Sequence, residues 1–131
     1  MKWIDSNIFL RYWNGQEIAK TFVSQLKLGT EKYHISPFVI IELEWVMRSF
    51  YKETKTDIVE FVESILAIDN LVVEKESDVQ KAMVIFEKNN IKLVDAIIAE
   101  LMHDNDVIVS FDRDFDKLSN IKRVEPQDLV G

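Results

Sequence analysis

Residues 93–118 read LVDAIIAELMHDNDVIVSFDRDFDKL, and the order of patterns along that run decides the fold class. Its first part repeats apolar residues at helical spacing, which puts Ile97, Ile98, Leu101 and Met102 on an inward face. Val107 to Val109 is then a short β-branched run, too brief for a helix and bounded by polar residues. Acids attend both parts. Asp95 opens the helical part, where the positive end of the helix favours a carboxylate, and Asp112 and Asp114 follow the strand-like VIVSF directly. Helix, strand and acidic turn in that order suit an open α/β sheet, in which functional groups gather beyond the carboxyl ends of the strands.

The same alternation extends outward. Short β-rich stretches at Trp3 to Ile4, Tyr33 to Ile35, Leu71 to Val73 and Lys122 to Val124 are separated by longer segments with helical periodicity. A mainly parallel central sheet flanked by helices is expected. Ser36 and Pro37 form an N-cap and first-turn proline for a helix in which Val39, Ile40, Leu43, Val46, Met47 and Phe50 recur, so Glu42 rides about two turns in. Ser77 with Gln80 has the form of a capping box, and Asp57 with Glu60 makes a weaker helix start for a segment running towards Ile68. No repeat, low-complexity tract or linker interrupts the chain, which reads as one domain over 1–131.

Composition narrows the chemistry. The absence of Cys excludes disulfides, thiolate metal sites and a Cys nucleophile. The three Gly form no phosphate-cradling loop, which removes the usual basis of a nucleotide-cofactor site. His34 and His103 belong to no spaced ligand motif. No apolar run is long enough to span a bilayer, and the opening MKWIDSNIF breaks its apolar start with Asp5, so a cytoplasmic location is expected. The net charge of −7 runs against the basic surface usual for proteins that bind nucleic acid, unless part of it is a carboxylate cluster neutralised by bound cations.

Five acids fit such a cluster. Asp5 follows the strand-like WI, Glu42 interrupts the apolar run VIIELEWV, and Asp95, Asp112 and Asp114 stand as described. Each has a local alternative: Asp5 and Asp95 as helix caps or first-turn acids, Asp112 and Asp114 as turn residues, Glu42 as a solvated helix position. Their joint placement after strands carries the functional reading. Two carboxylates ~4 Å apart repel by roughly 4 kcal/mol at an effective dielectric near 20, so a cluster calls for a cation. Oxygen ligands without Cys or His favour Mg²⁺ or Mn²⁺, and that pairing points to phosphodiester hydrolysis.

At these residues the chain resembles the PIN-domain family, and within it the VapC-like toxins of toxin–antitoxin pairs. WIDSNIFL is similar to the family's first motif, SPFVIIELEWV to the second, KLVDAIIAELM to the third and VIVSFDRDFDKL to the fourth. The resemblance implies a three-layer α/β/α fold and Mg²⁺- or Mn²⁺-dependent endoribonuclease activity. It assigns Asp5, Asp95, Asp112 and Asp114 to the metal and Glu42 to the catalytic set, with Ser6, Asn7 and Ser110 as site support. It further implies a homodimer and a cognate antitoxin protein, whose basic side chain would enter the acidic pocket. RNA contacts are expected from Arg11, Arg48, Lys92 and Arg113, which lie near these motifs in sequence, with a solvated helix or loop charge the ordinary alternative for Arg11 and Lys92. The aromatics Phe9, Tyr12, Trp13, Trp45, Phe50 and Tyr51 read as core or dimer surface. Two other readings compete. A catalytically silent PIN-like binding module would keep the fold alone, and a receiver-like phosphoacceptor would need an acidic pair after the first strand, where only Asp5 stands.

Overall fold

A computed structural model describes residues 1–130. The chain divides into two compact units, residues 1–76 and a second that begins at Ser77.

The first unit opens with an extended segment in which Trp3 makes a parallel bridge to His34. Helices α1 (Ser6–Trp13) and α2 (Glu17–Leu28) follow, then strand β1 (Tyr33–Ile35), α3 (Pro37–Ser49), α4 (Lys55–Leu66) and strand β2 (Leu71–Val73). β1 pairs in parallel with β2, Tyr33 against Leu71, while the backbone of His34 exchanges hydrogen bonds with Lys2 and Ile4 on its other side. The stretch read as a strand at Trp3 to Ile4 is thus a single bridge beside β1.

Local chemistry accounts for the helix boundaries. Gly15, at φ +79°, supplies the left-handed residue that closes α1, and its N–H donates to the Tyr12 carbonyl. Ser36 caps α3 by accepting from the Phe38 N–H at 3.1 Å, as its position before Pro37 foretells. The cap of α4 is Thr54, which accepts from the Asp57 N–H at 3.1 Å. Asp57 is therefore a first-turn acid, and the helix starts earlier than the Asp57–Glu60 pair suggests. The side-chain amide of Asn70, just before β2, donates to the carbonyls of Leu26 and Gly29, satisfying the end of α2 from a distant part of the chain.

Phe9, Val23, Ile35, Ile40, Leu43, Met47, Ile58, Val62 and Ile65 are fully buried and form this unit's core. Burial of side chains of this size is worth about 1.5–3 kcal/mol each. Tyr12 and Trp13 pack on Phe61, with ring centroids 6.2 and 4.9 Å away. On α3, Phe50 falls at the end of the helix and is exposed, so the inward stripe stops at Met47.

The second unit carries most of α5 (Glu76–Lys88), then α6 (Leu93–Leu101), strand β3 (Val107–Val109), a 3-10 turn (Arg113–Lys117), strand β4 (Lys122–Val124) and a last 3-10 turn (Pro126–Asp128). β3 and β4 are parallel, Val107 opposite Lys122, so the connection over 110–121 crosses over through the first 3-10 turn. α5 begins before Ser77, which places that residue inside the first turn and not at the cap. On α6 the buried residues are Leu93, Asp95, Ala96 and Ala99, and Leu101 is exposed. The inward face is thus turned from the one read through Ile97, Ile98, Leu101 and Met102, none of which is fully buried. The α/β class and the parallel strand pairing are those expected from the sequence.

Candidate metal centre

The acids of the second unit meet. One carboxylate oxygen from each of Asp95, Asp112 and Asp114 lies within 4.8 Å of the other two. Three separate local causes place them. Asp95 is the third residue of α6, after the N-cap Lys92, and lies 7% exposed at the positive end of the helix. Asp112 caps the 3-10 turn, its Oδ1 accepting from the Asp114 N–H at 2.9 Å. Ser110 braces Asp112 in turn, its Oγ accepting from the Asp112 N–H at 2.9 Å. The local turn role weighed for Asp112 is therefore real, in the form of a cap, and the same carboxylate takes part in the cluster.

Lys117 touches the cluster directly, and its place was not read from the sequence. Its Nζ lies 2.8 Å from Asp114 Oδ1 and donates to the Asn90 carbonyl at 2.8 Å. The signal was there in the spacing, since residues three apart share a face of a helical turn. Both side chains are partly exposed, so the ion pair contributes no more than about 1 kcal/mol to stability.

Asp5, Ser6, Asn7 and Glu42 belong to the first unit. Asp5 is the N-cap of α1 and accepts from the Ser6 N–H at 2.8 Å, while the buried Ser6 hydroxyl lies 3.5 Å from the same oxygen. Asn7 is exposed in the first turn of α1. Glu42 is exposed on α3, whereas its neighbour Glu44 is 2% exposed and accepts from Arg48 Nε at 2.6 Å. Glu44 is the buried acid of the ELE triplet, and the i,i+4 Arg was its sequence signal. Of the cations expected near RNA, Arg48 is thus engaged by Glu44, while Arg11, Lys92 and Arg113 are exposed.

Three carboxylates and no thiol or imidazole make a hard donor set, which fits a hard divalent cation that keeps several of its waters. The residues present can therefore hold the ion that the sequence calls for, with Asp95 the most sheltered ligand.

Comparison with known proteins agrees in the same direction. The family profile of the PIN domain matches residues 2–121. A VapC ribonuclease from Aquifex aeolicus (strain VF5) is 32% identical over 133 aligned positions, covering 96% of this chain and 97% of the relative.

Proposed function

Since the chain belongs to the PIN-domain family, we propose that it is a divalent-metal-dependent endoribonuclease, the toxin of a toxin–antitoxin pair. The observation that carries this reading is the meeting of Asp95, Asp112 and Asp114 within 4.8 Å. The family match runs through both units, which supports treating 1–131 as one PIN-like domain. Asp5 and Glu42 complete the proposed acidic set, with Ser6, Asn7 and Ser110 in support.

Asp95, Asp112 and Asp114, with Asp5, would hold Mg²⁺ or Mn²⁺. The bound ion supplies a water of lowered pKa and offsets the charge of the scissile phosphate. The protein's own part is positional. Ser110 and the cap bond from Asp112 fix the turn, so the ligands are set before RNA arrives and little reorganisation accompanies the reaction. Asp95 is 7% exposed, and that burial keeps its carboxylate from wandering into solvent. Arg11, Lys92 and Arg113 are the proposed RNA contacts, together with Arg48, whose side chain is partly exposed beside Glu44.

The partner we assign is a cognate antitoxin whose basic segment meets the acidic pocket, an assignment that the net charge of −7 supports. Among the described residues no helix is long and apolar enough to cross a membrane, and we assign the protein to the cytoplasm.

Incubation with single-stranded RNA and Mn²⁺ tests the proposal. Cleavage should appear with metal, vanish with chelator, and fall by at least roughly 100-fold in Asp95→Asn, as expected for loss of a group that acts on the transition state. Cleavage unchanged by that substitution, or absent from wild-type protein, would leave the silent binding module in its place.

A further inference from the structure

The bonds from Ser110 and Asp112 order the first residues of the turn that carries Asp112 and Asp114, but they do not tie its far end to the strands. A 3-10 segment of five residues has poor internal hydrogen-bond geometry, and the acids along it, Asp112, Asp114 and Asp116, repel one another. A residue from the next strand answers both problems. Arg123, on β4, is only 12% exposed along its side chain. Its Nε donates to Asp116 Oδ1 at 2.9 Å and its Nη2 to Asp116 Oδ2 at 3.1 Å, a two-pronged grip on the 3-10 turn. Its Nη1 donates to the Ser110 carbonyl at 3.0 Å, at the end of β3, and to Glu125 Oε1 at 3.1 Å.

We infer that Arg123 is a positioning residue of the metal centre: by gripping Ser110 and Asp116 it fixes both ends of the segment that presents Asp112 and Asp114. The inference rests on the metal-dependent reading above. The grip needs a planar fork, because one guanidinium must reach a carboxylate with two parallel bonds and a carbonyl with a third group; an ammonium offers no such geometry. Arg123 also neutralises Asp116, which would otherwise deepen the negative field against which the ligands must stay together.

A purely structural role for Arg123 in joining β3 to β4 predicts something different, namely loss of global stability without a change at the ligands. The full chain is therefore compared as wild type, Arg123→Lys, Asp116→Asn and Asp95→Asn. Mn²⁺ affinity is read from the electron paramagnetic resonance signal of the free ion, global stability from urea unfolding, and amide exchange over 110–117 without metal. The inference expects Mn²⁺ affinity to fall roughly 10- to 100-fold in Arg123→Lys. Exchange over 110–117 should quicken, and kcat should drop with KM for RNA little changed. Should Arg123→Lys fail to fold, Asp116→Asn carries the same expectation in weaker form, since it removes the charge and one prong of the grip on the turn and leaves Arg123 its bonds to Ser110 and Glu125. Unchanged Mn²⁺ affinity and exchange in a folded variant overturn the inference while the nuclease reading stands. If wild type and Asp95→Asn bind Mn²⁺ equally, the metal reading itself fails and takes this inference with it.

Discussion

Asp112 performs two tasks with one carboxylate: it caps the 3-10 turn, and it stands with Asp95 and Asp114 within 4.8 Å. The amide of Asn can keep the cap while removing the charge. Asp112→Asn should therefore raise the metal-free melting temperature by a few degrees, on the order of 1 kcal/mol of relieved repulsion after solvent screening. The same substitution should abolish most of the stabilisation that Mn²⁺ gives the wild type by linkage. Calorimetry with and without Mn²⁺ reads both, and a loss of stability in the metal-free protein would mean that capping outweighs crowding. Glu44 presents the opposite case, an acid buried with its cation beside it. Arg48→Met strands that carboxylate and should cost about 2 kcal/mol, less than a fully buried pair because Arg48 is partly solvated. Adding Glu44→Gln should recover most of the loss in urea unfolding, and a pair of additive losses would count against the coupling.

The helices show how short polar signals compete to set an element's ends. Asp57 and Glu60 have the right spacing for a start, yet Thr54 takes the cap because its hydroxyl reaches the Asp57 N–H. Thr54→Ala should cost about 1 kcal/mol in urea unfolding, whereas Ser77→Ala, inside the first turn of α5, should fall within about 0.5 kcal/mol of wild type. Equal losses at the two positions would contradict the boundaries of α4 and α5. The strands were legible at the same scale. Four β-rich triplets became β1 to β4 at the positions read, since branched residues between turn signals have few other uses. The phase of α6 was not legible, because Ala96 and Ala99 carry weak apolar signals and are buried for their small size.

At the scale of the molecule, helix α3 leaves an apolar stripe uncovered, with Phe38 76% and Trp45 58% exposed two turns apart. Exposed aromatics of this kind suit a partner surface, and they mark the face on which the homodimer that the family resemblance implies is to be tested. Trp45→Glu, at a position that adds nothing to the core, should shift the protein to monomer by light scattering with its circular dichroism unchanged. A wild type that is already monomeric at micromolar concentration would remove the dimer from the proposal.

Much of the site could be read from the chain alone, since chemistry of this kind depends on residue type and on position relative to strands. The acids Asp95, Asp112 and Asp114, the α/β class and the demand for a hard cation follow from local pattern, while the brace Ser110 was implied by the family resemblance. Lys117 and the buried Glu44 carried weaker local signals, in the i,i+3 and i,i+4 spacing of their partners. Arg123 carried none, because its partners are chosen when the chain crosses over: β4 returns beside β3 and brings Arg123 to Ser110 and Asp116. Local sequence dictates which side chains can ionise and where elements begin. Only tertiary structure decides which charges end up facing one another, because electrostatic pairing depends on distance in space and not on separation along the chain.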